Sequence, residues 1–195
     1  MDISIKNELK RKAIHLGAAV IPLSYYFLFS KHTALCIYIP IALVSIFIDM
    51  IRLLKWPRLS RVIRWFLRPI LRRHERFDFT GSSYILSAFV LSVIFFDKKI
   101  AVAVLCFAII GDVAAALVGR FFGSVPVNGK KTLEGSLAFF LMCLLIVIAI
   151  PSIPFWIGVL GALVATLVEA VSFPLNDNLT VPLISGMAMK ILFLL

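Results

Sequence analysis

Charge is scarce in this sequence. Asp, Glu, Lys and Arg make up 15% of its 195 residues, hydrophobic residues make up 62%, and the mean hydropathy is +1.04. A soluble globular chain is nearer half apolar, so this one lacks the polar surface a water-facing shell requires. Cysteine is scarce too. Cys36, Cys106 and Cys143 each lie in an apolar run and none forms a C-x-x-C pair, which argues against a disulfide framework or a thiolate zinc site. Acidic residues number 10 against 20 Lys and Arg, a net charge of +10. No basic stretch interleaved with aromatics stands outside membrane context, which argues against a nucleic-acid partner. Period-two alternation, internal repeats and low-complexity linkers are also missing, so a transmembrane barrel is excluded.

What is present is a series of apolar runs. A membrane span takes about 20 such residues, and a workable range is about 17 to 25. Candidate spans fall at 13–30, 33–54, 80–96, 99–122, 135–150, 154–172 and 180–195. Hydrocarbon satisfies no backbone group, so these runs are expected to be helices. The predicted fold is all-α: one polytopic membrane bundle over 1–195, with about seven spans and an amphipathic interfacial helix. The start, with Lys10, Arg11 and Lys12 before an apolar run, looks like a signal peptide. His15 and Pro22 interrupt that run and no clear cleavage site follows, so it reads as a retained first helix.

Basic residues set the expected orientation. With the N-terminus inside, the inner segments carry Arg11, Lys12, the arginines from Arg52 to Arg76, Arg120, Lys130 and Lys131. The outer connections carry Lys31, Lys98 and Lys99. That asymmetry predicts a cytoplasmic inner face. Between the second and third spans, Arg52, Lys55, Arg58, Arg61, Arg64, Arg68 and Arg72 alternate with apolar residues. This is the pattern of a basic helix lying on anionic lipid.

The polar motifs fall on that same side. At roughly 100° per residue, Asp112, Ala115, Ala116, Gly119 and Gly123 share one helix face. Small residues admit the close approach of a helix or a ligand. They do not account for the acid, which makes Asp112 a candidate functional residue. The segment GSVPVNGKKT, 123–132, departs from the P-loop in spacing and in having Lys131 where Ser or Thr belongs. Gly129, Lys130, Lys131 and Thr132 before a helix still suit a phosphate, and Glu134 beside them suggests a cation. Acid, lysine and phosphate together point to a Mg²⁺–nucleotide. Glu169 lies in the inner half of the sixth run, and Asp177 stands in PLNDNLTVP, where asparagine carbonyls and prolines suit a rigid oxygen site. Arg11 and His15 are four apart on one face of the first helix. The histidine is a phosphate contact or a general base. In ERFDFTGSSY, Glu75, Asp78, Thr80, Gly81 and Ser82 are further candidates to line the site.

These pieces resemble the CTP-dependent lipid kinase family: dolichol and polyprenol kinases, phytol and farnesol kinases, and the fungal-type diacylglycerol kinase. The likeness rests on ELKRKAIH at 8–15, TGSSY at 80–84, GDVAAALVGRFFG at 111–123, KKTLEGS at 130–136 and PLNDNLTVP at 174–182. It covers nearly the whole chain in order. It implies transfer of the terminal phosphate of CTP to a lipid alcohol, with Arg11, Lys12, Asp112, Gly119, Lys131, Glu134 and Asp177 as the site. Thr132 and Asn176 stand where the family commonly has Ser and Asp. CDP-diacylglycerol synthases share the acid, G-R-x-x-G and K-T-x-E-G-S, but usually carry a charged D-R-x-D-S ending that DNLTVP replaces here. Combining both readings, Asp112, Glu134 and Asp177 or Glu169 are expected to hold Mg²⁺. Arg11, Lys12, Arg120, Lys130 and Lys131 are expected to neutralise phosphate charge. The rival readings are cytidylyl transfer and an ion-coupled transporter with Asp112 and Glu169 as ligands.

Overall fold

The computed structural model describes residues 5–54, 78–129, 131–171 and 175–194, with side chains from residue 11 onward. The basic amphipathic segment expected between the second and third runs, Glu75 and Lys130 lie outside the described residues.

The described chain is helical, as its hydropathy dictates. Helix α1 spans Ile5–Gly17, α2 Val20–Phe27, α3 Lys31–Leu53 and α4 Gly81–Phe95. Helix α5 runs through Lys98–Phe122. It is followed by α6 Leu133–Ala149, α7 Phe155–Val171 and α8 Asp177–Leu194. Three helices, α3, α5 and α8, are long and apolar enough to cross a membrane. Helices α4, α6 and α7 are apolar and have 15, 17 and 17 residues, at or below the lower end of the about 17 to 25 that a crossing takes. Three of the seven expected spans are matched by a helix long and apolar enough to cross, among the described residues. The first expected span is broken in two. Pro22 has no N–H to give the Ala18 carbonyl, which instead accepts from Ile21 N at 3.0 Å. The helix tightens there and restarts as α2.

Helix α5 is the axis of the bundle. Every residue from Ile100 to Ile109 is buried, with α2, α4, α6 and α8 packed around it. Large apolar side chains such as Leu43, Phe47, Leu145 and Leu167 point outward, as in a bundle whose surroundings are lipid. One end is stapled by lysines. Lys31 donates to Ile94 O at 3.0 Å, Lys190 to Phe95 O at 2.9 Å and Lys98 to Phe29 O at 3.0 Å. The first two bonds reach the last carbonyls of α4, which have no partner within the helix. Lys190 thus sits beside Lys31 and Lys98, the residues assigned to the outer connections. The opposite end, where α4, α6 and α8 begin, carries the candidate site.

Two local features escaped the periodicity. A π-helical turn, Phe107–Gly111, precedes Asp112. A short antiparallel hairpin pairs Pro126–Asn128 with Lys131–Thr132. Gly129, directly after the first strand, has φ +58°, a left-handed value that glycine adopts without strain.

Candidate functional site

Asp112 begins the regular part of α5 after the π turn, and α1 lies across it. Lys12 Nζ is 2.6 Å from Asp112 Oδ2 and also donates to its main-chain O at 3.2 Å. His15 Nε2 is 3.3 Å from the same Oδ2. Lys12 and His15 are buried, while the Asp112 side chain keeps 34% of its surface exposed. Residues a hundred positions apart thus form one group, and the acid keeps part of its surface exposed.

The second group joins the hairpin to α7 and α8. Lys131 Nζ is 3.0 Å from Glu169 Oε1 and 2.9 Å from Asp177 Oδ2, and it also donates to the Glu169 main-chain O. An ammonium has three N–H donors, so these three contacts engage all of them. Burial lowers the Lys131 pKa, but Asp177 and Glu169 outweigh it and the net direction is up. Asn128 adds a hydrogen bond from Nδ2 to Val171 O at 2.7 Å. The hairpin is therefore clamped onto the last turn of α7. Asp112 lies within electrostatic reach of Glu169, which puts the two groups in one neighbourhood.

Several expected site residues serve the scaffold in this structure. Gly119 and Gly135 let α5 and α6 approach: a Cβ on Gly119 would lie 2.9 Å from Thr132 Oγ1, and one on Gly135 would lie 2.9 Å from Ala115 O. The small-residue face thus meets a helix. Thr132 caps α6, accepting from Gly135 N at 3.2 Å, while Leu133 N donates to Val125 O at 2.9 Å. Two of the N–H groups expected to cradle a phosphate are already engaged. Glu134 accepts from Ser124 N at 2.9 Å and Val125 N at 3.2 Å. Its own N–H and these two hold its pKa below the usual glutamate value. That carboxylate, expected as a metal ligand, braces the 123–125 loop in this structure. The Asn176 side-chain carbonyl serves the start of α8: Oδ1 accepts from Asn178 N at 3.0 Å. Arg120 and Gly129 are exposed at the same end.

A third charged group was not foreseen. Asp49 and Arg52 of α3 are 1% and 3% exposed. Asp49 Oδ1 accepts from Arg52 Nη2 at 2.9 Å and Nε at 3.2 Å. Its Oδ2 accepts from Thr80 N at 2.8 Å, Thr80 Oγ1 at 2.9 Å and Ser83 Oγ at 2.6 Å. Arg52 also donates to the main-chain O of Asp78. Asp78, Thr80 and Ser83 thus latch the start of α4 to the end of α3, where the sequence had put Asp78 and Thr80 among the site-lining residues. An acid and an arginine three apart in an apolar run was the available signal. Ile85, one turn further on, packs with Ala19 and Ile109, so the latched helix also supports the α1–α2 break and the π turn.

Mg²⁺ takes oxygen ligands and commonly keeps water and phosphate beside one or two carboxylates. Among the described residues, no group of three or more His, Cys, Asp or Glu side chains could hold a metal ion. Asp112 and Asp177 keep 34% and 37% of their side chains exposed, each with a lysine on Oδ2.

No family model matches the chain, and no solved structure matches it. The chain is 33% identical over 186 residues to an uncharacterized protein of Rickettsia prowazekii (strain Madrid E), covering 90% of each. It is 28% identical over 209 aligned residues to a probable chloroplastic phytol kinase of Triticum aestivum, covering 97% of this chain and 69% of that one. It is 26% identical over 217 aligned residues to CTP-dependent diacylglycerol kinase 1 of Saccharomyces cerevisiae (strain ATCC 204508 / S288c), covering 97% and 74%. These matches cover most of the chain, and its curated homologues at 24–28% identity are phytol kinases and CTP-dependent diacylglycerol kinases.

Proposed function

We propose that this protein transfers the terminal phosphate of a nucleoside triphosphate, CTP, to the hydroxyl of a membrane lipid alcohol. The acceptor class is a polyprenol, dolichol or phytol-type alcohol, or diacylglycerol. The observation that carries the reading is the gathering of Lys12, His15 and Asp112 with Lys131, Glu169 and Asp177 at one end of an apolar bundle. A water-soluble triphosphate reaches that end from the cytoplasm while the lipid stays in the bilayer.

Catalysis of phosphoryl transfer consists mostly of positioning and charge neutralisation. Arg11 and Lys12 of α1, Arg120 of α5, Lys131 of the hairpin and the adjoining Lys130 of the sequence supply positive charge. His15 supports Asp112 from the buried side. Asp112 and Asp177 are the residues that would hold Mg²⁺, whose chemistry there is to offset phosphate charge. Lys131 keeps α7 and α8 at the spacing this requires.

The test is purified protein in lipid nanodiscs, crossing CTP, ATP, GTP and UTP with phytol, farnesol, polyprenol and diacylglycerol. Label from γ-³²P-CTP should enter the lipid, and label from α-³²P-CTP should not. Entry of α-label would establish cytidylyl transfer in its place. Nucleotide turnover indifferent to every lipid would sink both.

A further inference from the structure

Glu169 stands two residues before the end of α7 and is 6% exposed. One carboxylate oxygen, Oε1, lies 3.0 Å from Lys131 Nζ, and the same ammonium takes the Glu169 main-chain O. The other oxygen, Oε2, is buried and has no hydrogen-bond partner among the described residues. A buried acceptor left unpaired costs folding free energy. Such atoms are uncommon in native proteins and call for an explanation. Asp49, the other deeply buried acid among the described residues, has donors on both oxygens. Glu169 is paired on one side only, and its Lys131 contacts hold the carboxylate in place with Oε2 turned to something else.

The surroundings point to what that partner is. On the same last turns of α7, Leu167 and Val171 are 64% and 56% exposed, so the face behind Glu169 borders lipid. Its own face meets the bundle interior, within electrostatic reach of Asp112 and Asp177. Oε2 therefore faces the bundle interior, on the side of the group assigned to the nucleotide. A neutral O–H donor suits it. A second lysine is not needed, since Lys131 already balances the charge.

We propose that Glu169 Oε2 receives the hydroxyl of the lipid alcohol and acts as the general base of the transfer. This rests on the lipid-kinase reading above and adds a catalytic residue to it. The hydroxyl oxygen forms a bond to the terminal phosphorus as the bond from that phosphorus to the bridging oxygen breaks. The hydroxyl proton passes to Oε2, and the nucleoside diphosphate departs with the bridging electron pair. The proton then leaves to water, restoring the carboxylate. Asp112 and Asp177 hold the phosphate side, and Glu169 holds the acceptor side.

Glu169→Gln keeps size and the Lys131 contact and removes the base. Its kcat should fall about 100-fold or more, the range general bases supply. Its affinity for CTP with Mg²⁺, measured by calorimetry without lipid, should stay within twofold of the unaltered protein. Formate added to Glu169→Ala should recover part of the lost kcat. A kcat within tenfold of the unaltered protein overturns the assignment. So does a nucleotide affinity that falls in step with kcat, which would make Glu169 a metal ligand. Failure of both variants to fold, judged by thermal unfolding in detergent, would assign Glu169 to the scaffold and overturn it equally. Absence of γ-label transfer by the unaltered protein is a different result, because it removes the kinase reading itself.

Discussion

Asp49 and Asp112 are both aspartates inside apolar helices, and each has a cation beside it. Their surroundings differ. Asp49 is 1% exposed and accepts five hydrogen bonds across its two oxygens, from Arg52, Thr80 and Ser83. Asp112 shares one oxygen between Lys12 and His15 and keeps a third of its side chain open. The first arrangement is closed: no coordination is left for a ligand, and its effect is to hold α3 to α4. The second keeps a third of its side chain at the surface, and the nearby Glu169 Oε2 has no hydrogen-bond partner among the described residues. A saturated carboxylate such as Asp49 has nothing further to offer a ligand.

That contrast breaks most sharply at Asp49. Replacing it with Leu strands Arg52 in the core, and unfolding in detergent should report a loss of about 3–5 kcal/mol. The Asp49→Leu, Arg52→Met double variant should regain much of that, since removing both charges removes the stranded one. Stability equal in the single and double variants would show that the latch is weaker than its geometry. Asp112→Asn comes next and acts on the other quantity. Lipid phosphorylation should fall about 10²–10³-fold while the variant stays folded, and retained activity would remove Asp112 from the site. A smaller effect is expected for Ser83→Ala, which takes one donor from Asp49. About 1.5–3 kcal/mol should be lost, the range for bonds to charged groups, with kcat unchanged in the remaining folded protein.

The smallest effect concerns Glu134. Its pKa is lowered by backbone N–H donors, so its bracing of the 123–125 loop is fully present above the unfolded glutamate value. That bracing is lost as pH falls through the lower, folded value. Amide exchange at Ser124 and Val125, corrected for intrinsic rates, should therefore quicken only below the ordinary glutamate range. Glu134→Gln should exchange faster at neutral pH and lose that dependence. Exchange unaltered in the variant would show that the carboxylate does not hold the loop.

The residues of the two charged groups could be picked out from residue type and position. Asp112, Glu169 and Asp177 stand out because an acid in or beside an apolar run is costly, and Lys131 because positive charge follows a glycine turn before a helix. What those residues touch could not be read. Asp112 meets Lys12 across a hundred positions, and Lys131 binds two acids instead of presenting itself to solvent. Gly119 and Thr132 carry a phosphate-site pattern yet serve helix packing and capping, since small and hydroxyl residues suit both uses. Asp49 was passed over because its partners Thr80 and Ser83 lie in another helix, and no local pattern announces a latch of that span.

Sequence alone determined that this chain is a helical membrane protein whose polar motifs gather at one end. Hydropathy is summed residue by residue, and hydrocarbon leaves the backbone no alternative to helix. The break at Ala18 and Ala19 is also local, because Pro22 lacks a donor. Tertiary structure decided which charges are closed and which are open. Hydrogen-bond saturation depends on donors brought from distant helices, and that count exists only once the helices have packed.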